Sequence, residues 1–173
     1  LAANFFTPPG TGGYPSRARI PSDVEKARNL LAEAGYPNGE NFPKLEILYN
    51  TSEGHRRIAE AIQEMWKKSL NIDITLVNQE WKVFLAAQRQ KDYQICRAGW
   101  IGDYVDPNTF LDMWTSWSQQ NQTGWSSEEY DRLIREASRT QNMKARLELF
   151  QEAEAILMDE IPIIPIYIYT RVY

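Results

Sequence analysis

Residues 97–114, RAGWIGDYVDPNTFLDMW, combine residue types that could bind or transform a ligand. The stretch holds a Gly-Trp pair and two carboxylates close together, Asp103 and Asp106. Asp is a favoured helix N-cap and Pro fits the first helical position, so Asp106 and Pro107 predict the start of a short helix over residues 108–114. Asp103 has no comparable local explanation. It could be a partner for a cationic ligand, a metal ligand, a catalytic acid, a helix cap or a solvated side chain.

Metal-binding patterns are weak in this sequence. Asp103, Asp106 and Asp112 do not have the spacing of a calcium loop of the EF-hand type, which needs a glycine at its sixth position and a glutamate at its twelfth. His55 is the only histidine and Cys96 the only cysteine, which excludes a multi-histidine site, a cysteine-rich zinc site and an internal disulfide. We therefore predict no metal and no cofactor, and we expect His55 to lie on the surface in the first turn of a helix.

Catalytic motifs are weak as well. With one histidine and no Gly-x-Ser-x-Gly motif, the sequence gives no support to Ser/His/Asp chemistry. A Cys96/His55 pair is a poor candidate for nucleophilic catalysis, because the two residues are far apart in the chain. Acid–base catalysis by paired carboxylates, as in a glycoside hydrolase, stays open, since nothing in the sequence fixes their geometry. The prediction is a protein that is not an enzyme.

The composition narrows the class of protein. A chain of 173 residues with 43% hydrophobic and 24% charged residues is ordinary for a soluble globular protein. The net charge of −4 argues against a nucleic-acid-binding protein. No apolar run approaches the roughly 18 residues of a membrane span. The first residues do not have the pattern of a signal peptide, so any export signal has been lost or lies outside this sequence. Six Trp and nine Tyr are a surplus of amphipathic rings, which line ligand clefts or pack in cores.

Apolar periodicity predicts alternating strands and helices. Ser22 with Glu25 forms a capping box for a first helix that ends at Gly35. The further predicted elements are strands at residues 45–49, 72–77 and 93–98, and helices at residues 53–69, 81–90, 108–114, from Ser126 onward, and about 142–159. Strand–helix–strand order implies parallel pairing, so the fold class is α/β, with a mixed, mostly parallel sheet flanked by helices.

Both ends of the chain are rich in proline. Residues 1–21 predict an extended lead-in or linker. The tail IPIIPIYIYT predicts an extended edge segment or a crossing linker, because proline cannot donate to a central strand ladder. Ends of this kind are typical of a piece of a longer protein.

Asp103 and Trp100 follow the predicted strand at residues 93–98. Ligands of open α/β sheets bind at the carboxyl ends of the parallel strands. A carboxylate in that loop, beside a tryptophan, is therefore a candidate for holding a cation.

Three segments carry a resemblance to a known family: PSDVEKARNLLAEAGYPNG, LVNQEWKVFLAAQRQKDYQICRAGWIGDYVDPNTFL and EAEAILMDEIPIIPIY. They resemble the C-terminal lobe of bacterial oligopeptide- and dipeptide-binding proteins, which are extracellular solute-binding proteins (family 5) of ABC importers. The resemblance implies a lobe of the type II periplasmic-binding-protein class. Residues 22–173 would be that ligand-binding lobe, truncated at both ends, with the N-terminal lobe missing.

The resemblance also implies roles for individual residues. In the family's Gly-Trp-x-x-Asp segment, here Gly99 to Asp103, the aspartate pairs with the α-ammonium of the peptide. Arg97 and His55 match the two cations that meet the carboxylate end of the peptide. Trp81 and Trp100 match tryptophans that line side-chain pockets. A second family arginine is replaced here by Gln88, which changes the charge of the pocket, and the backbone from Ala98 to Ile101 is expected to pair with the peptide as an added strand.

The function implied is the capture of oligopeptides between two lobes and their delivery to an ABC permease and its ATPase. The implied location is periplasmic or extracytoplasmic, with or without a lipid anchor, and no nucleic acid is involved. Two alternatives stay open. The same family could bind an oligosaccharide, nickel or haem, and a glycoside hydrolase using Asp103 with a second acid is the more distant one.

Overall fold

Three parallel strands with intervening helices are formed by residues 23–99. The computed structural model describes residues 2–169, and these divide into two units. We call Asp23–Gly99 the sheet unit. The second, which we call the helical unit, comprises the described residues of Leu1–Ser22 and Trp100–Tyr173. The end of the predicted lead-in at residue 21 lies next to the first change of unit.

The elements of the sheet unit alternate as the sequence predicts. In chain order they are α1 (Val24–Glu33), β1 (Leu45–Asn50), α2 (Glu53–Leu70), β2 (Ile74–Gln79), α3 (Trp81–Gln90) and β3 (Ile95–Cys96). The strand order is β2-β1-β3, and β1 pairs in parallel with both neighbours. The predicted parallel arrangement of this sheet is confirmed.

The central strand β1 is buried on both faces. Ile47 packs with Ile72 and Ile74 in a cluster that includes partly buried residues of α2. Leu48, one position later, packs with Phe84 and Ala87 of α3. Successive side chains of a strand point to opposite faces, so one apolar run supplies two separate cores.

Some predicted boundaries in the sheet unit are wrong. The N-cap of α1 is Asp23, not Ser22, because the Asp23 carboxylate accepts the Lys26 backbone N–H at 2.9 Å. β3 has two residues rather than the predicted six, since only Ile95 and Cys96 form ladder pairs with β1 and Arg97 adds one hydrogen bond beyond them. β2 lies two residues later in the chain than predicted.

The apolar residues of α1 do not form a buried face. No residue of α1 is buried, and Val24 and Leu30 are 45% and 54% exposed. Only Leu31 packs against a core cluster of the unit. The periodicity is present in the sequence, but in this structure little of the surface that it creates is covered.

The helical unit contains three further helices. They are α4 (Asn108–Leu111), which continues into a 3-10 turn at Asp112–Trp114, α5 (Glu128–Arg139) and α6 (Met143–Glu160). Ser127, rather than the predicted Ser126, caps α5 by accepting the Tyr130 N–H. One apolar face of α5 is buried against α6 in a single core cluster, formed by Tyr130, Leu133, Ile134 and Ala137 of α5 with Phe150 and Leu157 of α6.

The predicted lead-in is part of this helical core. Thr7 and Tyr14 are almost completely buried. Glu154 of α6 accepts the Thr7 N–H at 2.7 Å, the Phe6 N–H at 3.2 Å and the Tyr14 hydroxyl at 2.6 Å. A buried carboxylate with several hydrogen-bond donors therefore holds the N-terminal segment on α6.

The predicted tail is extended where the structure describes it. Tyr167 forms an antiparallel bridge with Ala2, and the Ala3 N–H donates to the Ile166 carbonyl at 3.1 Å. The end of the tail, residues 170–173, lies outside the described residues. Among residues 2–169, no helix has both the length and the apolar character that a membrane crossing requires.

Candidate ligand-binding site

The loop from Trp100 to Asp103 is held by α4. The Trp100 indole Nε1–H donates to the Thr109 carbonyl at 2.7 Å, and the Asp103 backbone N–H donates to Thr109 Oγ1 at 3.0 Å. Gly102 lies so close that an added Cβ would come within 2.9 Å of Thr109 Cγ2 and 3.0 Å of the Phe110 ring. The backbone and the indole of this loop are therefore fixed.

The Asp103 side chain is exposed although its backbone is fixed. In the part of the chain that the structure describes, its carboxylate takes part in no salt bridge. Ile101, two residues earlier, is also exposed, at 74%. The loop thus presents a carboxylate and an apolar side chain to solvent, beside the partly buried Trp100 ring.

Asp106, three residues later, has the opposite environment. Its two oxygens accept hydrogen bonds from Arg146 at 2.7 and 2.9 Å, and Oδ1 also accepts the Asn108 N–H at 2.9 Å. Burial alone would raise the pKa of Asp106, but these bonds outweigh it and lower the pKa. Asp106 thus bonds to the start of α4 as predicted, although the N-cap position itself is Pro107, and its charge is already neutralised.

A second carboxylate lies in electrostatic reach of Asp103. Burial raises the pKa of Asp112, the hydrogen bond from Asn108 Nδ2 at 2.8 Å opposes this, and the negative charge of Asp103 raises it further. Two carboxylates close enough to interact electrostatically favour a positive ligand group. Within residues 2–169 no three His, Cys, Asp or Glu side chains are grouped to hold a metal ion.

The sheet unit brings His55 and Arg97 together. His55 lies in the first turn of α2, as predicted, and Arg97 directly follows β3, where its N–H donates to the Leu48 carbonyl at 2.8 Å. Burial is the main factor that lowers the His55 pKa, the Arg97 charge lowers it further, and the backbone of Asn50 opposes both. His55 is partly buried rather than fully on the surface, and its Nδ1 has no hydrogen-bond partner among the described residues.

The other predicted residues of the sheet unit lie on α3 and at the end of the unit. Trp81 opens α3, is 51% exposed and stacks on Phe84 with ring centroids 5.8 Å apart. Gln88 follows two turns later on the same side of the helix and is partly buried. Gly99 is exposed and closes the unit.

The eight predicted site residues therefore divide into two sets. The helical unit holds Trp100, Ile101 and Asp103, and the sheet unit holds His55, Trp81, Gln88, Arg97 and Gly99. Sequence reasoning missed Thr109 and Arg146, which hold the loop around Asp103. Thr109 looks like an ordinary residue of a short helix, and Arg146 lies 40 positions from Asp106 in the chain, so no local pattern marks either.

The environment of His55 predicts a lowered pKa, which proton NMR can measure. The chain has one histidine, so its imidazole C2–H gives a single proton NMR signal. We expect this signal to titrate with a midpoint below 6.5, and the Arg97→Gln substitution should raise the midpoint, because a positive charge near the ring is removed. Since the folded-state pKa is the lower one, the stability that neutral His55 contributes is lost as the pH falls from 6.5 through that midpoint.

Lys68→Gln is the matched control for this titration. Lys68 lies near the far end of α2, roughly 20 Å from His55 along the helix axis. Its substitution should leave the midpoint unchanged. A wild-type midpoint at or above 6.5, or equal shifts in the two variants, would contradict the proximity of His55 and Arg97.

Comparisons with known proteins place the chain in a family. The model for bacterial extracellular solute-binding proteins, family 5 Middle, matches residues 1–122. The periplasmic murein peptide-binding protein MppA of Escherichia coli K12 is 42% identical over 173 residues, which are 96% of this chain and 32% of that protein. The oligopeptide-binding protein OppA of Bacillus subtilis is 40% identical over 154 residues, 86% of this chain and 28% of that protein.

Solved structures agree with the sequence matches. The unliganded open form of MppA has a TM-score of 0.88 and 40% identity, covering 96% of this chain and 33% of its own. Haemophilus influenzae OppA in complex with the peptide RPPGFSPFR also has a TM-score of 0.88, at 34% identity, covering 98% of this chain and 34% of its own. These structures are type II periplasmic-binding-protein-like, which confirms the predicted fold class. The chain spans about a third of the length of these relatives (32% of MppA), and it belongs to the bacterial extracellular solute-binding proteins, family 5.

Proposed function

We propose that this chain is part of a solute-binding protein that captures oligopeptides in the periplasm and delivers them to an ABC permease. One observation carries the proposal: the Asp103 carboxylate is exposed and has no ion-pair partner among the described residues, while its backbone is fixed. The neighbouring Asp106 is neutralised by Arg146. Of Asp103 and Asp106, therefore, only Asp103 has a carboxylate that forms no ion pair within residues 2–169 and is available to an incoming cation.

A peptide α-ammonium complements the Asp103 carboxylate, because it carries a positive charge and donates hydrogen bonds. Charge-assisted hydrogen bonds to a carboxylate are the strong kind, and their electrostatic component grows when a closing protein excludes water. Asp112 adds negative potential in the same region. The Asp103 site therefore favours a free amino end over a blocked one.

The sheet unit offers groups that suit a carboxylate. His55 and Arg97 are close enough for the Arg97 charge to lower the His55 pKa. A ligand carboxylate near this pair would offset that effect and favour the imidazolium form. Gln88, which stands where the family pattern has an arginine, leaves the pocket along α3 beside Trp81 less positive.

Three residues near the candidate loop have backbone groups that are open to pairing. Ala98, Gly99 and Ile101 make no hydrogen bond to other backbone groups within the described residues. An extended peptide that pairs with such a segment is read through its main chain, so side chains of different size are accepted. Waters that fill spare space in side-chain pockets broaden this tolerance further.

The names of relatives support a peptide as the ligand, and they also name other ligands that must be considered. MppA is named for murein peptide binding and OppA for oligopeptide binding. Heme-binding protein A of H. influenzae is 32% identical and the probable deoxycholate-binding protein YgiS of E. coli is 33% identical. Haem, deoxycholate and neutral oligosaccharides carry no ammonium, so they would leave Asp103 without its ionic partner. These relatives are named as binding proteins, and we propose no catalytic step.

Calorimetry on the full-length protein that carries this chain tests the proposal. Peptides of three to five residues with a free amino end should bind, and N-acetylation should weaken binding by about 100-fold, because an uncharged amide cannot pair with Asp103. Haem, deoxycholate and xylo-oligosaccharides are the comparison ligands. Equal affinity for free and acetylated peptides, or binding of a comparison ligand in place of peptides, would overturn the proposed function.

A further inference from the structure

We infer that Thr109 is a positioning residue that fixes both Asp103 and Trp100 for ligand binding, which rests on the peptide-binding function proposed above. Thr109 is 2% exposed, so its own contact with a ligand would be negligible. Its hydroxyl oxygen accepts the Asp103 N–H, and its carbonyl accepts the Trp100 indole N–H. One buried residue thus connects the carboxylate and the aromatic ring of the candidate site.

The hydroxyl acts on the direction of the Asp103 side chain. A hydrogen bond to the backbone N–H of Asp103 at 3.0 Å restricts the dihedral angles of that residue. The direction of the Cα–Cβ bond follows from those angles, so the carboxylate has fewer orientations to lose when a ligand binds. Preorganisation of this kind raises affinity without adding a contact.

The methyl group of Thr109 lies close to Gly102 of the same loop. Thr109 Cγ2 would be 2.9 Å from a Cβ at position 102, which makes glycine the residue that fits there. Phe110 closes the same space at 3.0 Å. The loop therefore lies in direct contact with α4, which leaves no room for a side chain at position 102.

Thr109 is itself anchored to the rest of the helical unit. Its N–H donates to the Asp106 carbonyl at 3.2 Å, and the Asp106 carboxylate is held by two bonds from Arg146 of α6. The Arg146 guanidinium also lies 4.7 Å from the centre of the buried Phe150 ring. A series of contacts thus connects the core of the unit with Asp103, and Thr109 is the residue that bonds directly to Asp103.

The test uses the full-length protein with a free-amino tripeptide and its N-acetylated form. Thr109→Val keeps the size of the side chain and removes the hydroxyl, and we expect it to weaken binding of the free peptide by about tenfold. Thr109→Ser keeps the hydroxyl and should restore affinity to within about twofold of wild type. The N-acetylated peptide should bind Thr109→Val and wild type equally, because it does not use Asp103.

Two further variants separate positioning from a general loss of stability. Thr115→Val removes the hydroxyl of another fully buried threonine of the same unit and should leave free-peptide affinity unchanged. Gly102→Ala disturbs the loop by crowding instead of by loss of a hydrogen bond, and it should reproduce the selective loss even if Thr109→Val does not fold. Combined with Asp103→Asn, the effect of Thr109→Val on the free peptide should largely disappear, since both act through one carboxylate.

The outcomes distinguish this inference from the function on which it rests. If wild type does not discriminate between free and acetylated peptides, the proposed function fails and the inference fails with it. If wild type discriminates but Thr109→Val binds the free peptide normally, only the inference fails. Equal losses for both peptides, or no recovery in Thr109→Ser, would also overturn it, because they indicate a purely structural role.

Discussion

The Asp103→Asn variant of the full-length protein should bind a free-amino tripeptide roughly 30- to 5000-fold more weakly than wild type, equivalent to about 2–5 kcal/mol. Asn has nearly the shape of Asp but no charge. The ligand ammonium would therefore leave water without gaining an ionic partner, and a desolvated charge without a partner is costly. Isothermal titration calorimetry at one ionic strength measures the change directly.

The same variant should lose discrimination between the free and the N-acetylated peptide. Asp159→Asn is the matched control, since it removes one exposed negative charge from α6 of the same unit and should leave both affinities unchanged. If Asp103→Asn binds the free peptide as wild type does, then the ligand ammonium is met elsewhere in the protein. The assignment of Asp103 as the amino-end site would then be wrong.

The Glu154→Ala substitution should lower the free energy of unfolding of the helical unit by about 3–5 kcal/mol. Two backbone donors, the Phe6 N–H and the Thr7 N–H, lose their acceptor, and the Tyr14 hydroxyl keeps only the Phe150 carbonyl at 3.1 Å. Thr7 and Tyr14 are almost completely buried, so the loss of an acceptor there is costly, and the N-terminal segment would lose its hydrogen bonds to Glu154 of α6. Urea denaturation followed by circular dichroism measures the change.

A control substitution on the same helix and the pH dependence of stability test the role of Glu154 further. Glu152→Ala, an exposed position on the same helix, should change stability by less than about 0.5 kcal/mol. Burial raises the pKa of Glu154 despite the bonds from Tyr14, Thr7 and Phe6. The contribution of this group to stability is therefore greatest below its ordinary pKa near 4.5 and declines as the pH rises through the higher folded-state value.

Glu154→Gln should lack this dependence on pH, because an amide does not titrate. A loss below about 1 kcal/mol in Glu154→Ala would mean that the N-terminal segment is held by its apolar contacts instead, such as those of Phe6 with the Phe110 and Trp114 rings.

The sequence predicted the elements that depend on neighbouring residues. Hydrophobic periodicity located α2, α3 and α6 to within a residue or two, and the order of strands and helices gave the parallel sheet. Asp103 was a candidate because it follows a strand, and the resemblance of its segment to a family gave it a role. These features are local, since the hydrogen bonds of a helix and the alternation of a strand involve residues a few positions apart.

The tertiary structure decided what each polar group near the site can do. Asp103 and Asp106 are the same residue type three positions apart. Arg146 neutralises Asp106, whereas Asp103 is exposed and has no salt bridge among the described residues. The N-terminal segment had the composition of a linker, but Glu154 draws it into a core. The sequence by itself determined the elements and the candidate residues. Only the fold determined which charges are paired, because the partners are distant in the chain and the energy of a charge depends on what surrounds it in space.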